Sequence, residues 1–130
     1  MGAARDQSGL VKSQPEAARA GTVVDAAGVA RELHADAESS SVGRAARTVP
    51  REPDLRVAVI AMRAGATIAE HHAGDAATVH VLHGHLRVWL GDRVVELGAE
   101  HLLPIERALA HDVVAVGSSP FVLVLARSAA

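Results

Sequence analysis

The sequence predicts an all-β fold, a sandwich or barrel of short strands with one short helix ahead of it, and three observations predict it. From residue 55 onward short Val-rich runs are separated by Gly or Pro punctuation, seven of them in about 70 residues. Upstream there is a single stretch of helical period. The apolar mass is small and β-branched, 27 Ala and 18 Val, against an aromatic fraction of 2% supplied by Trp89 and Phe121 alone. At 130 residues the chain is long enough for one domain with its own core.

Residues 1–22 mix Gly, Ser, Gln, Pro15 and charges without periodicity, so they bury too little apolar surface to offset the entropy of ordering and read as a disordered tail. Residues 23–54 read as a helix and an arm. Asp25 can accept from the orphan N–H groups of a first turn, and Val29, Leu33 and Ala37 recur at i, i+4 and i+8, which predicts a helix over Ala26 to Glu38. The cluster Ser39-Ser40-Ser41-Val42-Gly43 ends it, and Pro50 and Pro53 break up the stretch beyond. Residues 55–130 carry the strands: Arg56 to Met62, Thr78 to Leu82, His85 to Leu90, Arg93 to Leu97, His101 to Ile105, Asp112 to Val116 and Phe121 to Ala126. Gly91-Asp92 is a two-residue hairpin loop of the primed kind. Leu86, Val88 and Leu90 alternate with His85, Arg87 and Trp89, giving one core face and one face bearing an aromatic. Arg56 to Met62 and Phe121 to Ala126 are apolar on both faces, which requires the helix or a second subunit to cover the outer one.

Charge and composition exclude several functions. Thirteen Lys and Arg against fifteen Asp and Glu leave −2, so no cationic excess is available for phosphates and nucleic acid is not an expected partner. With no cysteine, disulfides, zinc–thiolate sites and thiol nucleophiles are ruled out. No stretch has the apolar length of a signal peptide or a membrane span, so a soluble cytoplasmic protein without a membrane partner is expected. Gly84-His85-Leu86-Arg87 lacks the spacing of a phosphate loop, and Ser118-Ser119 sit in a turn before Pro120 with no nucleophile elbow.

Of eight histidines, seven fall between His71 and His111. Gly65-Ala66-Thr67-Ile68-Ala69-Glu70-His71-His72-Ala73, then Val81-Leu82-His83-Gly84, then Gly98, Pro104 and His111 give a chain that resembles the cupin family over about Leu55 to Ala126. The resemblance implies a double-stranded β-helix, or jelly-roll, barrel in which three His and one Glu hold a divalent metal. Gly65, His71 and Gly84 match the first motif of the family, but Ala73 stands in place of its second His and Ala77 in place of its Glu. In the second motif Gly98 and Pro104 fit by strict count and the His position then falls on Leu109; anchored on His111, the motif has Glu106, Ala108 and Ala115 in place of Pro, Gly and Asn.

His71 and His111 are thus the candidate metal ligands, with His72 and His80 as substitutes for the missing donors. Strand alternation puts His80 on the same side as neither Val79 nor Val81, and His72 out of phase with His71, unless a bulge changes the phase. Apart from the family, an imidazole-rich site suits Zn, Ni, Cu or Fe, and Mn joins them on the resemblance. Glu70 and Glu106 are candidate acid–base groups if desolvated, though charged side chains are more often exposed. His83 and His85 flank a turn glycine and read as surface, as do His101 and His34, and Trp89 reads as an interface anchor.

The family spans oxygenases, isomerases, decarboxylases and ligand-sensing modules, so its fold does not fix the chemistry. Two main readings are open. One is a small-molecule-binding cupin with a divalent metal on its histidines, which as an enzyme would be of the metal-dependent oxygenase or isomerase type. The other is a metal-free binding or sensing cupin in which Ala73 and Ala77 make room for the ligand. A metal-free acid–base enzyme using Glu70 with His71 or Glu106 with His111 is a third. A homodimer, formed through the Trp89 face or the N-terminal segment, is expected in each case.

Overall fold

The computed structural model describes residues 21–71, 76–107 and 109–126, with the backbone alone for residues 50, 51, 69–71 and 119–126. The expected tail at 1–22 lies almost wholly outside the described residues. Helix α1 spans Ala26–Ser39 and is followed by nine strands: β1 Arg44–Glu52, β2 Leu55–Met62, β3 Thr67–His71, β4 Ala76–Val81, β5 Leu86–Leu90, β6 Arg93–Leu97, β7 Leu102–Ile105, β8 His111–Ala115 and β9 Ser119–Ala126.

Every strand pair is antiparallel, and the strands form two sheets of order β1-β2-β9-β4-β7 and β3-β8-β5-β6. Sequence neighbours are repeatedly placed in opposite sheets, β2 and β3 or β4 and β5, which is the alternation of a jelly roll. The inward faces of both sheets share one core, in which Met62, Val79, Val81, Leu86 and Val88 are each no more than 2% exposed. Alternation along β4 buries Ala77, Val79 and Val81 and leaves Ala76, Thr78 and His80 half-buried on the other face.

Helix α1 supplies a second core on the outside. The Asp25 carboxylate accepts from Gly28 N at 3.1 Å and starts the helix. Ala30, Leu33 and Ala37 then pack with Ala45, Val49, Val59 and Ala61. Strand β2 is therefore buried on both faces, by the core on one side and by the helix of the same chain on the other. At the other end of α1, Arg63 Nη1 donates to Glu38 O at 2.9 Å and Ser40 O at 3.0 Å, satisfying carbonyls a helix C-terminus leaves open. Gly43, at φ +76°, admits that approach: a Cβ there would lie 2.9 Å from the Ala66 Cβ.

Two strands differ from expectation. The segment read as an arm broken by Pro50 forms β1, because an edge strand tolerates a missing N–H; the register shifts between Thr48 and Arg51, around the proline. Strand β3 lacks the Val-rich texture used to find the others and is held mainly by its pairing with β8. The hairpin was legible to the residue: Leu90 pairs with Arg93 and Gly91 has φ +60°.

Candidate functional site

The site begins with strand β8. Val113 and Ala115 point into the core, 4% and 1% exposed, so His111, two residues before Val113, shares their face at the end of the strand. The imidazole is half-buried, and its Nδ1 lies 3.1 Å from Leu109 O. A carbonyl only accepts, so Nδ1 donates in that contact. This is the arrangement in which a backbone carbonyl fixes the tautomer of a ligating imidazole. Leu109, which strict motif counting would put at the histidine position, precedes the strand and is packed against the core.

Strand β3 brings His71 to the same place. Ile68 pairs with Val113 and packs against the core, and alternation from Ile68 would carry position 70 inward. The register shifts between Ile68 and His71, one residue more on β3 than on β8, and His71 comes opposite His111. The bulge thus puts the two motif-matched histidine positions across from one another, and opposite positions of an antiparallel pair share a face.

The other sequence candidates are placed elsewhere or lie outside the described residues. His72 and Ala73 are outside them. His80 is on β4, between Leu102 and Val122 of its neighbours, and faces away from the core with no bulge to reverse it. Ala77, where the family has Glu, is 8% exposed in the core and adds an apolar methyl there. Glu106 is exposed. Among the described residues no group of three or more His, Asp or Glu side chains is arranged to hold a metal ion.

Of the remaining histidines, His85 and His101 make local contacts and His34 is exposed. His101 Nδ1 accepts from Gly98 N at 3.0 Å and His83 is exposed. His85 Nε2 donates to Glu96 Oε1 at 2.5 Å, while Arg87 Nε donates to Glu96 Oε2 at 2.7 Å. These contacts, the His85 hydrogen bond first and then that of Arg87, hold the Glu96 carboxyl below the ordinary carboxylate value of 4.5. Sequence reasoning left this network unassigned, although the two-residue hairpin already puts Arg87 opposite Glu96. It lies on the outer face with Trp89, which is 37% exposed and pairs with Val94 and Asp112.

The sequence pattern of the cupin domain matches residues 58–126, more than half of the chain. The chain belongs to the cupin family. No curated protein matches it. Among solved structures, this cupin is similar to a conserved protein of unknown function from Streptococcus pyogenes, 18% identical over 84% of this chain and 90% of that one, with a TM-score of 0.68. It is similar also to a cupin superfamily protein from Desulfitobacterium hafniense, 12% identical over 65% and 78% of the two chains, TM-score 0.64. Oxalate decarboxylase of Bacillus subtilis, a protein with Mn(II) centres, shares 20% identity over 59% of this chain and 22% of its own, TM-score 0.55. These likenesses are of fold. No helix among the described residues is long and apolar enough to cross a membrane.

Proposed function

We propose that this cupin binds a small molecule at the end of its apolar interior, through a divalent ion carried by His71 and His111. The observation behind this reading is the register of β3 and β8, in which a bulge brings position 71 opposite a histidine whose Nδ1 is held by a backbone carbonyl. Two imidazoles fit a borderline divalent ion such as Zn, Ni, Fe, Mn or Cu, and the Mn(II) centres of a protein of like fold support that chemistry. Two nitrogens are about half of the donors such an ion takes, so water, an oxygen ligand or His72 completes the set. His80, on the other face of β4, is left out of it. When bound, the ion supplies Lewis acidity toward an oxygen-bearing ligand. The protein's own part is to hold the His111 ring through Leu109 O and to present apolar walls, Ala77 among them.

The test is metal content after tag-free purification. Wild type retains a divalent ion; His71→Ala and His111→Ala each lower its affinity at least about tenfold, while His80→Ala does not. Equal trace metal in all four proteins contradicts the metal half of the proposal.

A metal-free binding cupin is the second reading. It is favoured by the buried methyl of Ala77 at the carboxylate position of the family. Native mass spectrometry separates the two, since a co-purified organic mass without metal supports the second.

A further inference from the structure

Away from the interior, helix α1 and the corner between β4 and β5 enclose a cleft of about 420 Å³, within the size range of small-molecule sites. Ala27, Ala30, Arg31 and His34 lie at i, i+3, i+4 and i+7, one stripe of the helix, and all four line it. Across from them are Leu82, which packs against the helix core, and His83, exposed on the turn that Gly84 makes at φ +90°. The walls are therefore alkyl, and among the described residues that line the cleft the charged or polar heads are a guanidinium, two imidazoles and the Ser118 hydroxyl, with no carboxylate.

Two carboxylates stand near and are already engaged. Asp25 accepts from Gly28 N at 3.1 Å and lies 3.9 Å from Arg31, and Glu38 accepts from Ser118 Oγ at 3.3 Å. The Ser118 proton is thus directed to Glu38, so His34, His83 and the Arg31 N–H groups other than the Nη2 turned toward Asp25 are the donors for an anion. We infer that this cleft is a binding site for a small amphiphilic carboxylate, its alkyl chain against Ala27, Ala30 and Leu82 and its anionic head among Arg31, His34 and His83.

The site is separate from the His71–His111 pair, and so is its test. Decanoate is titrated into the full chain by calorimetry, with amide shifts in two-dimensional NMR reporting the location. Saturable binding that moves the amides of residues 27–34 and 82–83 is expected. Arg31→Ala, in which a charge-assisted hydrogen bond is lost, weakens it about tenfold, and the double variant His34→Ala/His83→Ala weakens it further. Ala27 is exposed, so Ala27→Trp fills the cleft and abolishes binding while its circular dichroism and melting temperature match wild type. His111→Ala binds as wild type does. The inference is overturned by no saturable binding, by equal affinity for decan-1-ol, which lacks the anion, or by shifts confined to residues around His111.

Discussion

At the scale of single residues, phase decides what each histidine can do. His111 and His80 are both strand residues and both half-buried, yet one shares the face of Val113 and the other alternates with Val79 and Val81. That much was legible, because alternation is a property of the chain. His71 was a different matter. Its place opposite His111 depends on an extra residue in β3, and nothing in Thr67-Ile68-Ala69-Glu70-His71 announces a bulge. Glu96 gives a prediction at this scale. Its depressed value means that its contribution to stability is complete above the ordinary carboxylate value of 4.5 and is lost as the pH falls through the lower folded value. Carboxyl carbon shifts should therefore show Glu96 titrating below the other exposed glutamates, and His85→Ala should move it back upward. Titration of Glu96 with the others would contradict the network.

At the scale of elements, α1 illustrates a segment whose sequence states both its start and its buried face. Asp25 was identifiable as a cap and Leu33 as the centre of the stripe, and the structure has both. Asp25→Ala should cost about 0.5–2 kcal/mol by chemical denaturation. Leu33, fully buried against β1 and β2, should cost about 2–5 kcal/mol when replaced by Ala. If Leu33→Ala unfolds at the wild-type midpoint, the helix is not part of the cooperative unit. Strand β1 was missed because Pro50 reads as a breaker in a sequence and as a tolerated residue at a sheet edge, and edges exist only once the sheet is formed. Arg47 on that strand belongs with the helix as well: its side chain is 8% exposed and Nη1 lies 2.8 Å from Glu32 Oε1. Because Glu32 is 65% exposed and solvent screens the pair, Arg47→Met should be close to neutral in stability. A loss of several kcal/mol would show that the ion pair holds the helix.

For the whole molecule, an all-β sandwich or barrel was legible from strand number and punctuation, and the jelly roll from the two spaced motifs of the family the sequence resembles. The site was legible only in part. Motif spacing picked out His71 and His111, but what stands around them is set by pairing between strands far apart in the chain, and the cleft beside α1 is formed by residues some fifty positions apart. The functional account rests on the histidine pair acting as one site. Crystals of tag-free protein grown without added metal, measured at the absorption edges of Mn, Fe, Ni, Cu and Zn, test it most directly. The account predicts one anomalous peak within coordination distance of both His71 and His111 and none at His80. A peak at His80 or His83, or none at the pair in protein shown to contain metal, would contradict it.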